Sequence, residues 1–141
     1  ALRRSSAEKF STFYFAHYDE ESGKLRYTNA GHLPPILIRG GEVIRLDVNG
    51  MVVGAFPFAQ FGQSSIDLVP GDLLVCFTDG VTEPENEYGE MFGEERLVEI
   101  VRNNSSLPPE QLIRAITSSV LEWTGSPQLQ DDMTVLVARK L

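Results

Sequence analysis

Two aspartates carry the candidate chemistry of this chain, Asp79 and Asp131. Asp79 follows the apolar run Leu73–Phe77, and Asp131 begins an Asp-Asp pair ahead of Met133-Thr134-Val135-Leu136-Val137. A carboxylate delivered by a buried strand is costly unless something offsets its charge, and a metal ion would do so. If the two strands are antiparallel neighbours, both acidic ends come to one edge of the sheet. Carboxylates there repel unless one is protonated or a cation bridges them. Oxygen-only donors with no His or Cys nearby suit hard ions such as magnesium or manganese. Water on such an ion is acidic enough to supply hydroxide near neutral pH for attack at phosphorus, and two ions about 3.5–4 Å apart can share it. No covalent protein nucleophile is then needed, and none is evident. Plainer readings stand beside these. Asp-Gly is a common turn signal, and by spacing alone an Asp131-Asp132 that caps a strand is the favoured reading.

The elements that must position these residues follow from the pattern. Leu73–Phe77 is too short for an ordinary helix and is bounded by turn residues, so it reads as a buried strand. The β-branched run at 134–138 reads as another. Upstream, residues 12–18 and 24–28 flank Asp19-Glu20-Glu21-Ser22-Gly23 and make a hairpin. Ile36–Ile38 and Val43–Leu46 flank Gly40-Gly41 and make a second. Pro70-Gly71 has the type II turn signature, which predicts a third hairpin between a strand at 64–69 and Leu73–Phe77. Residues 47–63 mix glycines with apolar side chains and read as an ordered connection. Residues 1–10 show little pattern.

After the acidic loop 85–90, helical spacing appears at Leu97, Ile100 and Val101, with Glu94 and Glu95 at the front. A second helix carries Leu112, Ile113, Ile116, Val120 and Trp123, begins at Pro108-Pro109 and stops at Gly125. Strands, then two helices, then a strand make one α+β domain over residues 1–141 with antiparallel hairpins.

Composition narrows the function classes. Of 141 residues, 42% are hydrophobic and 23% charged, as in an ordinary soluble globular protein. A net charge of −8 argues against a nucleic-acid partner. No apolar run approaches the roughly 20 residues of a membrane span, and no signal peptide is visible. The lone Cys76 excludes an internal disulfide framework and reads as a core thiol, which fits the cytoplasm. His17 reads as a surface residue. His32, in a Gly/Pro loop, is a backbone-bonding histidine before it is a ligand or phosphate contact.

Taken in order, Phe13-Tyr14-Phe15, Tyr27-Thr28-Asn29-Ala30-Gly31-His32-Leu33-Pro34-Pro35, Pro70-Gly71-Asp72, Phe77-Thr78-Asp79-Gly80-Val81-Thr82-Glu83, Met91-Phe92-Gly93 and Asp131-Asp132-Met133-Thr134 resemble one family. It is the bacterial sporulation-stage-II-E-like branch of the PPM (type 2C-like) metal-dependent serine/threonine phosphatases. The resemblance runs from about residue 11 to the C-terminus. It implies an antiparallel β-sandwich flanked by helices. It also implies hydrolysis of phosphoserine or phosphothreonine by a hydroxide bridging two manganese or magnesium ions. Asp79 and Asp131 are then metal ligands, Asp132 supports them, and His32 receives no catalytic task. In this branch the usual substrate is a phosphorylated anti-sigma-factor antagonist, in cytoplasmic signalling.

One departure matters. The family's N-terminal Gly-Asp motif, whose Asp bridges both metals, has no counterpart before Phe10. The chain is therefore expected to be the C-terminal part of a phosphatase domain, without the bridging ligand and the first strands and helices. Alone it is expected to be inactive, while a longer parent is active. Uncovered apolar surface would favour association, for example a homodimer. The alternative is a non-catalytic phosphatase-like module that only docks a partner. A receiver-like domain is the weakest reading, since receivers alternate strand and helix.

Overall fold

A computed structural model describes residues 13–30, 32–47 and 63–141. The polar start of the chain and the apolar connection at 48–62 lie outside these residues, so the readings made for them are not addressed. The chain divides into two compact units, Ala1–Pro34 with Arg45–Val69, and Pro35–Ile44 with Pro70–Leu141.

The first unit holds a three-stranded antiparallel sheet in the order β1-β2-β5. Strands β1 (Phe13–Asp19) and β2 (Lys24–Ala30) form the expected hairpin, with Gly23 at φ 71° closing the turn. Strand β5 (Gln63–Asp67) pairs with β2, Leu25 opposite Ile66. Alternation puts Leu25, Tyr27 and Asn29 on one buried face of β2. Tyr14 of β1 stacks on Tyr27 with ring centroids 6.1 Å apart.

The second unit holds a four-stranded sheet in the order β4-β3-β6-β7 and three helices. Strands β3 (Ile36–Arg39) and β4 (Glu42–Arg45) are neighbours across Gly40-Gly41, both at positive φ as the tight turn requires. Strand β6 (Leu73–Phe77) lies between β3 and β7 (Val135–Arg139), antiparallel to both. One face of this sheet carries Ile36, Ile38, Leu73, Val75 and Phe77, all buried. On β7 the same face carries Arg139, whose guanidinium donates to the Ser105 and Leu107 carbonyls between helices α2 (Gly93–Asn103) and α3 (Pro109–Thr124). The helices therefore cover that face. They contribute Leu97, Val101, Leu112, Ile116 and Val120 to the core. Both helix ends follow the sequence: Glu94 and Glu95 in the first turn of α2, Pro109 at the start of α3, and Gly125 in the left-handed conformation at its end.

Three expectations are corrected. Strand β5 does not form a hairpin with β6; the two belong to different sheets. The Pro70-Gly71 turn is present, with Gly71 at φ 94°, but it docks on the end of β7. Gly71 N–H donates to the Lys140 carbonyl, and Lys140 N–H donates to the Asp72 carbonyl, both at 2.8 Å. The Asp72 carboxylate, 2% exposed, is held by Arg39 through two bonds of 3.0 and 2.7 Å. That anchor commits the chain after the turn to the sheet of β3, which a local turn signal does not reveal. Next, Asp79 does not sit on a strand end or a plain turn. It opens a one-turn helix, α1 (Asp79–Thr82), so the described residues hold three helices where two were expected. Lastly, β7 is only half buried. It has one strand neighbour among the described residues, and Leu136 is 53% exposed.

Candidate metal centre

The β6–β7 ladder decides where the two aspartates go. Its last strand pair is Phe77 with Val135. The pairing continues one residue further through Thr78, whose N–H donates to the Thr134 carbonyl at 3.2 Å. Thr134 N–H donates in turn to the Thr78 hydroxyl at 3.1 Å. Asp79 is the next residue on one side, while Asp132 and Asp131 come two and three residues before Thr134 on the other. The antiparallel neighbours supposed from the sequence are thus present, and both acidic segments lie at one end of the sheet. The backbones there are in close approach. A Cβ added to Gly80 would meet the Asp132 carbonyl oxygen at 1.9 Å.

The three carboxylates Asp79, Asp131 and Asp132 are exposed. Asp131 Oδ1 accepts the Asp132 N–H at 2.7 Å, which orients that carboxylate on its own backbone. The donor set is oxygen only and suits a hard divalent ion. Among the described residues, no three His, Cys, Asp or Glu side chains come together as a metal-holding group. The edge therefore fits part of a metal shell, with Asp79 and Asp131 available to it.

The loop after α1 borders this edge. Glu85 bridges to Met91, and Phe92 N–H donates to the Pro84 carbonyl at 2.8 Å. The Asn86 carboxamide oxygen accepts the N–H groups of Tyr88 and Glu90 at 2.9 and 3.0 Å. Trp123 of α3 donates its indole N–H to the Glu90 carbonyl at 2.9 Å. Its ring lies 3.8 Å beneath the Arg96 guanidinium, a cation–π contact.

The remaining candidates are structural. His32 Nδ1 donates to the Leu33 carbonyl at 2.8 Å. The buried Asn29 side chain pairs with both the N–H and the carbonyl of His32, at 2.8 and 2.9 Å. His32 thus bonds backbone, which is its plainer reading. His17 is exposed. Cys76 is half buried, and burial raises its thiol pKa to about 11, which suits a packing residue. Residue-type reasoning missed three groups at the edge: Thr78, Gly80 and Gln130. The Thr-Asp-Gly sequence held the signal for the first two, because a glycine is needed where backbones touch.

The family model for stage II sporulation protein E matches residues 1–141. The chain is 36% identical over 141 residues to Protein IcfG of Synechocystis, covering 99% of this chain and 22% of that protein. It is 28% identical to phosphoserine phosphatase RsbU of Bacillus subtilis, covering 95% of this chain and 40% of the relative. Among solved structures, the SiaA PP2C domain of Pseudomonas aeruginosa matches with a TM-score of 0.80 at 22% identity, covering 91% of this chain and 51% of that one. The phosphatase domain of SpoIIE from Bacillus subtilis matches with a TM-score of 0.70 at 23% identity, covering 99% and 61%. The chain spans less than half the length of Protein IcfG and of RsbU. With an α+β fold of antiparallel sheets like that of PP2C phosphatase domains, the chain belongs to the stage II sporulation protein E family.

Proposed function

We propose that this chain forms part of a metal-dependent protein phosphatase that hydrolyses phosphoserine or phosphothreonine in bacterial signalling, with Asp79 and Asp131 as metal ligands. The observation that carries this reading is the β6–β7 register, which brings the two acidic segments to one sheet end in a chain of this family. The relative RsbU is named a phosphoserine phosphatase, which supports the same chemistry here. Manganese or magnesium, two ions in the complete domain, would lower the pKa of water and offset phosphoryl charge. The work of this chain is positional. Thr78 locks the end of β6 to the segment before β7, and Gly80 lets the two backbones close up. Asp79 and Asp131 then face solvent as hard donors. The substrate we favour is a phosphorylated anti-sigma-factor antagonist, and the site of action the cytoplasm. No helix among the described residues is long and apolar enough to cross a membrane.

The test uses the full-length protein and manganese-dependent release of phosphate from a phosphoserine protein. Asp79→Asn and Asp131→Asn should each lower the rate at least about 100-fold, the scale of losing a charge-stabilising group. Melting temperature without metal should move by no more than about 2 °C, as for an exposed substitution. Near-normal turnover in either variant refutes the ligand assignment. A docking module without turnover is the second reading, favoured by the absence of a three-residue metal group among the described residues. Full-length protein that binds the phosphoprotein but releases no phosphate with either metal would establish it.

A further inference from the structure

The residue immediately before Asp131 makes a contact that its exposure does not explain. Gln130 is exposed, yet its carboxamide engages a single backbone residue twice. Its Oε1 accepts the Glu85 N–H at 3.0 Å, and its Nε2 donates to the Glu85 carbonyl at 3.0 Å. This is the reciprocal pairing of two strand residues, made by a side chain across 45 positions of sequence. A side-chain amide suits this, because it offers an acceptor and a donor side by side.

What Gln130 grips is itself held on three sides. Glu85 bridges to Met91, the Glu90 carbonyl is taken by Trp123, and the Phe92 carbonyl is taken by Arg96 at 2.9 Å. The loop is thereby pinned to the start of α2 and the end of α3. The segment carrying Asp131 is held at Asp132, whose carbonyl lies against Gly80, and locally at Gln128, whose N–H donates to the Ser126 hydroxyl at 3.2 Å. It lies between the end of α3 and β7, without regular structure, and its residues 128–132 are exposed. The ladder holds it from one side at Thr134, and the Gln130 amide holds it from the other. Asp131 lies between the two anchors.

We infer that Gln130 is a positioning residue: by clamping Glu85, it fixes the backbone at Asp131 in the place from which the carboxylate meets a divalent ion. This rests on the ligand role proposed for Asp131. Pre-organisation of this kind acts on metal affinity, since a loose ligand must be ordered at the moment of binding.

The test compares the full-length protein with its Gln130→Met variant, which keeps length and removes both bonds, and with Gln130→Asn, which keeps the amide but is one methylene short. Because Gln130 is exposed, both variants should melt within about 2 °C of the parent without metal. In metal-free protein, hydrogen exchange at the Glu85 amide should quicken at least about tenfold in Gln130→Met, as expected for a lost protecting bond. Manganese binding by calorimetry should weaken about tenfold, the smaller effect usual for a supporting contact. Half-saturating manganese for phosphate release should rise in step, with the rate at saturating manganese within about twofold of the parent. Gln130→Asn should fall between the two. A merely structural role would lower melting temperature and maximal rate without moving the manganese constant, and that result overturns the inference. So does faster exchange at Glu85 with unchanged manganese affinity. If the unaltered protein neither binds manganese nor releases phosphate, the proposed function fails and the inference with it. If it does both and the variants match it, only the inference fails.

Discussion

Gly80 is the residue with least latitude. Its backbone angles are ordinary, so the constraint is space: the Asp132 carbonyl occupies the place of a side chain. A methyl group there must push α1 and the Asp131-Asp132 segment apart, and neither is a flexible side-chain end. Gly80→Ala is expected to destabilise the protein by about 1–3 kcal/mol, the range for overpacking. A melting curve reads that loss. A calorimetric titration should show manganese affinity falling as well, whereas unchanged affinity would mean the approach is incidental. Cys76 is the opposite case, a reactive residue type placed where it does not react. Burial raises its pKa from 9.0 to about 11. At pH 8 the thiolate fraction is then about 100-fold below that of an unfolded chain, so thiol labelling should be slower by about that factor. The sign for stability follows. The unfolded chain ionises first, so stability declines as pH rises from about 9 to about 11. Labelling as fast as in denaturant would contradict the packing role.

At the scale of elements, β6 organises the second unit. It joins β3 to β7 and ends at the candidate site. Its start is fixed by the Arg39–Asp72 pair, a two-bond ion pair with the carboxylate buried. A buried pair need not stabilise on balance, but half of one is costly. Asp72→Ala, which takes two bonds from the half-buried Arg39 guanidinium, is expected to cost about 1–3 kcal/mol in chemical denaturation. The double change Arg39→Met with Asp72→Leu should cost less than Asp72→Ala alone. A double variant worse than the single would show that the pair contributes more than its own desolvation. The exposed Lys24–Asp67 pair of the first unit, at 3.9 Å, sits in water and contributes at most about 1 kcal/mol.

At the scale of the whole molecule, the described sheet of the second unit is covered on one face by helices. On its other face, the β7 residues Leu136 and Ala138 are exposed. The relatives it matches are longer, and no group of three metal-holding side chains forms among the described residues. Two carboxylates bind a divalent ion far more weakly than a full shell, which takes six or more oxygens. On the proposed function, residues 1–141 alone should release phosphate at least about 100-fold more slowly than a protein with the length of these relatives. Equal rates in a side-by-side assay would show that these residues suffice.

Much of this molecule was legible in one dimension. Apolar runs of strand length, glycines at the hairpin turns, and the caps of α2 and α3 are local signals, because they reflect the conformational limits of single residues and the period of single elements. The approach of the two acidic segments was legible as a possibility, since acid just after one strand and just before another falls at one sheet end when the two are antiparallel neighbours. That the segments share that end depended on β6 and β7 being neighbours, and no local feature specifies that. The same holds for β5, which the turn signal assigned to β6 and the sheet assigned to β2. Pairing partners are chosen by which faces can be buried together across tens of residues, and that choice is made only in three dimensions. The grip of Gln130 on Glu85 and the space denied to Gly80 belong to the same class: each is a contact between segments whose sequences do not mention one another.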